Sequence, residues 1–398
     1  MRSWAACVCI FMLAACDRAP TPVAPAASAT HTASGRATAF VPTSRLGALR
    51  VSASSPGFAR AGDPITFEFP RDHGPHAAFR QEWWYVTGHL DAPGTAGFGF
   101  ELTFFRFALV PPASDAAPSG SAWRTRQIYV AHFAVTDLER RRFHSAERYE
   151  RDALGLAGAR ASPFRVWLDD WLLGQQMAGQ QTSWTLHAED HDYELDLELH
   201  PLSAPVLNGE AGLSRKSDVA GAASYYYSIP RIAVRGHLVR SGQRLDVQGL
   251  AWLDREWGSG ALAPDQEGWD WFALQLGDGS TLMFYALRKL GGRRDPNSAG
   301  TWVAADGSAH RLVNDDVRID VLDHWSSPRG GRYASRWRVR APALGLDLDV
   351  RPQLPDQELN TNPRYWEGAV SVSGRHAGGT VAGRGYVELV GDAHERKE

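Results

Sequence analysis

Three carboxylates sit among tryptophans in one region of the chain: Asp254 and Glu256 in "WLDREWGSG", residues 252 to 260, and Asp270 in "EGWDWFALQL" shortly after. Carboxylates belong in water and indoles usually do not, so the pattern marks either a costly piece of core or a site. Alternate side chains of a strand share a face. A strand over "QGLAWLDREW" therefore puts Trp252, Asp254 and Glu256 on one face and Leu253, Arg255 and Trp257 on the other. In "GWDWFALQL", Asp270 goes with Phe272 and Leu274, and Trp269 and Trp271 take the opposite face. Two placements stay open at this level. The acids face solvent, or they are buried beside Trp252, in which case each bare charge costs several kcal/mol unless it is paired, hydrogen-bonded or protonated. A carboxylic acid kept neutral by apolar surroundings can serve as a proton donor.

The same alternation applies to "EWWYVTG" and "FELTFFRFAL". The second puts Glu101, Thr103 and Phe105 on one face and Leu102, Phe104 and Arg106 on the other. An inward Arg106 has two candidate partners, Glu82 and a carboxylate of another domain, and a structural salt bridge is the simpler reading. The aromatics Trp83, Trp84 and Tyr85 suit plain core or a flat apolar wall for a long hydrophobic ligand. His73 and His76 have no third ligand nearby for a metal. His132 in "YVAHFAV" reads as a satisfied core histidine. Neither a G-x-S-x-G elbow nor a phosphate or dinucleotide loop is present, so no cofactor and no metal are expected.

These residues need strands to position them, and the composition supplies strands. Fifteen tryptophans and 39 glycines against 4 methionines favour pleated sheets with tight turns. Short alternating segments follow one another from "EWWYVTGHLDA" to "YELDLELH" and again from "IAVRGHLVR" to "TVAGRGYVELV", whereas "GEAGLSRKSDVAGAAS" reads as an irregular loop. Two sets of strands argue for two β-barrels or sandwiches in tandem, an N-terminal domain over 62–228 and a C-terminal domain over 229–395. A net charge of -3, from 42 basic and 45 acidic residues, sets nucleic-acid binding aside.

The three cysteines all lie in "MRSWAACVCIFMLAACDR". Arg2, an apolar run and "LAAC" resemble a bacterial lipoprotein signal over 1–15, with Cys16 as the lipidated residue and Asp17 as an inner-membrane retention signal. The expected location is the periplasmic face of the inner membrane, with the lipid anchor as the membrane contact. Residues 16–61, rich in Ala, Pro, Ser and Thr, read as a flexible, disordered tether.

Taken in series, "EWWYVTGHL", "YYYSIPRIAVRGHL", "GLAWLDREWG", "GWDWFALQLGDGSTLMFYALR" and "YWEGAVSVSG…VAGRGYVELVG" resemble the AttH-like and carotenoid hydratase (hydroxyneurosporene synthase) family. The resemblance implies an all-β chain of two tandem lipocalin-like (calycin-type) β-barrels, with a site in the apolar cavity and interdomain cleft. It also implies a hydrophobic, isoprenoid or lipid-like ligand and, for the hydratases, addition of water to a carbon–carbon double bond. On that reading Asp270 or Asp254 is the acid and Glu256 orients the water. Trp83, Trp84, Tyr85, Arg106, Tyr226, Trp252, Trp257, Trp271, Tyr285 and Trp366 line the pocket, and indole and phenol faces stabilise a carbocation by roughly 0.5 to 2 kcal/mol each. The alternative is a tethered carrier that binds or hands on its ligand unchanged, with a neighbouring transporter permease as candidate partner.

Overall fold

The computed structural model describes residues 56–112, 124–178, 181–260 and 262–391. The expected signal, Cys16 and the tether up to residue 55 lie outside the described residues. The last tether residues are described and are docked on the folded part: Ala61 is buried, and the Ala59 N–H donates to the Ala78 carbonyl at 2.9 Å.

Nearly everything that follows is strand. The first sheet is built from β1 (Gln81–Asp91), β2 (Phe98–Ala108), β3 (Gln127–Asp137), β4 (Arg142–Arg151), β5 (Ala157–Ala161), β6 (Phe164–Leu168), β7 (Trp171–Ala178), β8 (Gln181–Asp190), β9 (Tyr193–Pro201), β10 (Val206–Leu207), β11 (Leu213–Arg215), β12 (Ala223–Arg240) and β13 (Gln243–Gly258). The second takes β14 (Gln266–Leu276), β15 (Thr281–Lys289), β16 (Ala299–Val303), β17 (Ala309–Val313), β18 (Arg318–Ser326), β19 (Arg332–Ala341), β20 (Leu346–Pro352), β21 (Glu358–Leu359), β22 (Tyr365–His376) and β23 (Gly379–Val390). Both sheets are antiparallel and curl into barrel-like walls, the tandem lipocalin-like arrangement the sequence implies.

The two sheets share a plan. In the first, the hairpin β12–β13 is inserted between β1 and β9, giving the order β4-β3-β2-β1-β13-β12-β9-β8-β7-β6-β5. In the second, the last hairpin β22–β23 is inserted between β14 and β20, giving β17-β16-β15-β14-β23-β22-β20-β19-β18. The division expected at 228 falls inside β12, which pairs with β13 from Ser224 to Arg240 and with β9 from Ile232 to Arg240. The change from one sheet to the other comes between Gly258 and Gln266. A closing hairpin that pairs with the first strand of its own sheet is a non-local contact, and strand counting does not see it.

Period-two alternation sorts each strand between two environments. Trp84, Val86, Leu253 and Trp257 fill the core of the first sheet, and Phe272, Leu274, Trp337, Trp366 and Val387 that of the second. The outward faces of β1, β12, β13, β14, β15, β22 and β23 meet in a third cluster that includes Tyr85, Tyr226, Trp252, Trp271, Tyr285, Ala369 and Tyr386. Gly99 of β2 marks how close this approach is: a Cβ there would lie 2.6 Å from the Tyr386 hydroxyl and 2.7 Å from the Ala369 Cβ. Gly99→Val is therefore expected to lower stability by about 1–3 kcal/mol in denaturant titration. Gly62→Ala, with nothing within 4 Å of the added Cβ, is expected to change it by less than about 0.5 kcal/mol.

Candidate active site

The seam between the sheets is organised by strand register. Across the first sheet, His132, Thr103, Tyr85, Asp254 and Ser228 are successive cross-strand partners and form one row. Across the second, Tyr285, Trp271, Glu388 and Glu367 form another. The rows touch where the Tyr85 ring meets Trp271 edge to face, at 5.0 Å between centroids. They touch again where Trp271 Nε1–H donates to the Tyr226 hydroxyl at 3.1 Å.

Asp254 is the centre of this arrangement. It is buried, and its Oδ1 accepts from Ser228 Oγ at 2.5 Å and from Trp252 Nε1 at 2.7 Å, while Oδ2 accepts from the Tyr226 hydroxyl. All three donors are neutral. Burial pushes its pKa up; the Ser228, Tyr226 and Trp252 hydrogen bonds pull it back and the Glu256 charge pushes it up again, leaving it at about 7. A carboxyl with that balance exchanges its proton near neutrality. Glu256, two residues along the same face, has a different partner set: Ser224 Oγ–H and the Lys216 ammonium, with Nζ at 3.1 Å. Lys216 is itself enclosed, 4.1 Å from the Tyr285 ring centroid and 5.2 Å from that of Tyr226. Burial alone would lower its pKa, but Glu256 and then Tyr285 outweigh that and raise it. The seam thus holds an acid that exchanges its proton near neutrality beside a compensated ion pair, walled by rings whose faces attract cations. Half-buried Trp83 and Trp269 pack against the same cluster and mark its edge.

The placements of the remaining sequence candidates follow the alternation rule. Tyr85, Tyr226, Trp83, Trp252, Trp271 and Tyr285 join Asp254 and Glu256 in the seam. Asp270 does not: it sits on the core-side face of β14 and is held by Arg288 in an ion pair. Trp84 lies in the first core under the Arg255 guanidinium, 3.9 Å from its ring centroid, and donates Nε1–H to the His73 carbonyl at 2.8 Å. Trp257 is stacked on His76 at 3.7 Å within the same core. Trp366 packs in the second core and donates to the Pro355 carbonyl at 2.9 Å. Arg106 is buried against Glu82, which resolves its two candidate partners in favour of the local one. Each of these residues is one position out of step with a seam residue, and a one-position offset in a strand reverses the face.

Several seam residues were not among the candidates. Lys216, Ser224 and Ser228 come from the segment before β12 and from β12 itself. Glu367 and Glu388 lie in "YWEGAV" and "YVELV", where an acid shares a face with Tyr365 or Tyr386. That is the signal that singled out Asp254, and it would have found both. His132, read as a satisfied core residue, is indeed hydrogen-bonded on both ring nitrogens. Metal-type donors gather elsewhere, at His187, Glu194 and Asp196 on the partly exposed face of β8 and β9, where His187 Nδ1 already pairs with Asp196 at 2.7 Å.

Two curled antiparallel sheets with an acid-bearing aromatic seam define a two-barrel lipocalin-like protein. The AttH-like family model matches residues 60–392, and the chain belongs to that family. The crystal structure of a candidate AttH from Nitrosomonas europaea superposes with a TM-score of 0.74 at 34% identity, covering 84% of this chain and 100% of that one. The crystal structure of kievitone hydratase from Nectria haematococca shares the fold, with a TM-score of 0.62 at 16% identity over 85% of this chain and 97% of that one. Among curated proteins, the dehydratase asqC of Emericella nidulans is 24% identical over 221 residues, 52% of this chain and 61% of that protein's length.

Proposed function

We propose that the seam is a hydro-lyase site that adds water to, or removes it from, a carbon–carbon double bond of a hydrophobic isoprenoid or lipid-like molecule. The observation that carries this reading is Asp254: a fully enclosed carboxyl with three neutral donors and a pKa near 7, facing aromatic walls. In the hydration direction, protonated Asp254 gives its proton to one alkene carbon and the positive charge develops on the other. Tyr85, Trp271 and Tyr285 surround that charge with ring faces. Water attacks the cation, its excess proton returns to a carboxylate, and Glu256, fixed by Lys216 and Ser224, is placed to orient that water. Dehydration runs the same steps in reverse. Relatives named as a hydratase and a dehydratase support this class of reaction. The lipobox at Cys16 supports a periplasmic, membrane-tethered protein that meets its substrate at the lipid surface.

The test is incubation of the purified chain with acyclic isoprenoids bearing an isolated double bond in 18O-labelled water, followed by mass spectrometry. Formation of the labelled alcohol by wild type is expected. Recovery of bound ligand with no label and no mass change would instead assign a carrier.

A further inference from the structure

A second group of carboxyls occupies the seam on the far side of Tyr85 from Asp254. Glu101 of β2 and Glu367 of β22 are 1% and 0% exposed, and the Oε2 atom of each has no hydrogen-bond partner among the described residues. Their other oxygens are held by neutral hydroxyls, Thr103 Oγ1 on Glu101 and the Tyr85 hydroxyl on Glu367, both at 2.7 Å. The charged groups that act on Glu367 are acids, Glu388 and Glu101. Burial, followed by those two neighbours, raises Glu367 well above the carboxylate range, and burial raises Glu101 and takes Glu388 to about 8. Like charges enclosed together cannot all ionise, so this end of the seam stores protons.

A closed store needs a route to solvent, and hydrogen bonds trace one as far as Tyr365. Glu147 of β4, partly exposed at the edge of the first sheet, lies 3.1 Å from His132 Nε2 through its Oε1, which also accepts the Asn362 N–H at 3.1 Å. His132 Nδ1 lies 2.7 Å from the Tyr365 hydroxyl on the second sheet. Tyr365 in turn faces Glu101 on the first sheet, whose charge, after burial, pushes the phenol's pKa up, and the open Oε2 of Glu101 is the acceptor this end of the seam leaves unfilled. Every junction is a group that can both give and take a proton.

We propose that Glu147, His132, Tyr365 and Glu101 form a proton relay that connects solvent to the carboxyls of the seam. The transfer balances without a co-reactant. An imidazolium donating to Glu147 through Nε2 and to Tyr365 through Nδ1 releases the Nδ1 proton to the phenol oxygen. The phenol's own proton passes to the Glu101 carboxylate. Neutral imidazole, phenol and a carboxylic acid remain, and the imidazole regains a proton from solvent beside Glu147. Each of these is a positioning or relay residue, since none is assigned contact with substrate. The relay rests on the hydro-lyase reading only for its use; its existence is tested without turnover.

The experiment is infrared spectroscopy of the full chain, following the carboxylic C=O stretch after mixing into heavy water. A protonated-carboxyl band that vanishes in Glu101→Gln identifies the terminus of the relay. In wild type this band is expected to shift as fast as mixing allows, and in Tyr365→Phe and His132→Phe to shift at least about tenfold more slowly. Glu147→Gln, at the accessible edge, should slow it in the same direction, while Glu388→Gln leaves its rate unchanged. A purely structural role predicts the opposite sign, because a variant that merely loosens the interface would admit heavy water faster. Absence of a Glu101 band, or exchange as fast in all three relay variants as in wild type, would overturn the proposal, and neither result would touch the 18O experiment.

Discussion

Asp254→Asn is expected to lower the proposed water addition in the seam by about 10²- to 10⁴-fold while leaving ligand binding within a few-fold of wild type. Asparagine keeps the planar shape and an acceptor oxygen for Ser228 and Trp252, loses the acceptor that Tyr226 uses, and has no acidic proton to give. On the proposed reaction, the wild-type rate of hydration should fall as pH rises through about 7, because the acid form of Asp254 is the proton donor there and burial raises its pKa to that value. The same shift has a stability consequence whose sign is opposite to that of an ordinary salt-bridged carboxylate. In the unfolded chain Asp254 titrates near 3.8, and in the folded protein near 7, so between those values the folded state holds the extra proton. The Asp254 contribution to stability is therefore largest below about pH 4 and declines as pH rises to about 7, by an amount on the order of 4 kcal/mol at full effect. Asp254→Asn removes this component. The difference in denaturation midpoint between variant and wild type should move in the variant's favour from pH 4 to pH 8. A constant difference across that range would show that Asp254 is ionised throughout, and the acid role would then fail together with the pH profile.

The strands and their faces were legible because alternation is a local property. The placement of Trp252, Asp254 and Glu256 together, with Arg255 and Trp257 opposite, follows from three residues' spacing and needs no knowledge of the fold. Selecting aromatics by type and not by face is what brought Trp84, Trp257 and Trp366 into the pocket; each neighbours a seam residue in sequence and points the other way. Asp270 fails for the same reason, since the face shared with Phe272 and Leu274 is the core of the second sheet. What alternation could not supply was which outward face would meet which. Tyr85 reaches Glu367 across 282 positions of sequence, and His132 reaches Tyr365 across 233. Those meetings depend on two closing hairpins and on the close approach at Gly99. Lys216 was illegible for another reason: it lies in a loop, where no periodicity tells which side chains turn inward, and its role emerges only from Glu256 and the two tyrosine rings around it.

The largest loss of stability is expected from a residue that never enters the seam. Glu82 is fully buried on the core side of β1, between Arg106 of β2 and Arg255 of β13. It also receives the His76 backbone N–H, at 3.1 and 3.0 Å to its two oxygens. The two guanidinium groups are completed by main-chain carbonyls: Phe79 at 2.8 Å for Arg106, and Gly74 at 2.6 Å for Arg255. Burial alone would push the Glu82 carboxyl up, but Arg255 and Arg106 outweigh it and hold the carboxyl far below its ordinary range. Glu82→Gln keeps the volume and removes the charge, leaving two enclosed cations without an anion. Breaking a buried ion network in this way costs about 3–5 kcal/mol. By contrast, Asp91→Ala at the exposed Asp91–Arg384 pair should cost less than about 1 kcal/mol. The pH signature runs against that of Asp254. A lowered folded pKa contributes stability that is present above the ordinary carboxylate range and is lost as pH falls below it, so the wild-type advantage over Glu82→Gln should shrink on acidification below about pH 4.5. Denaturant unfolding of both proteins at pH 7 and pH 3 reads this directly, and a cost under about 1 kcal/mol at pH 7 would show that the arginines find compensation elsewhere. Because Glu82 and Asp254 lie on opposite faces of neighbouring strands, the folded fraction of Glu82→Gln should retain the wild-type pH dependence of its chemistry. That separates the network that holds the first barrel together from the acid proposed to work between the two.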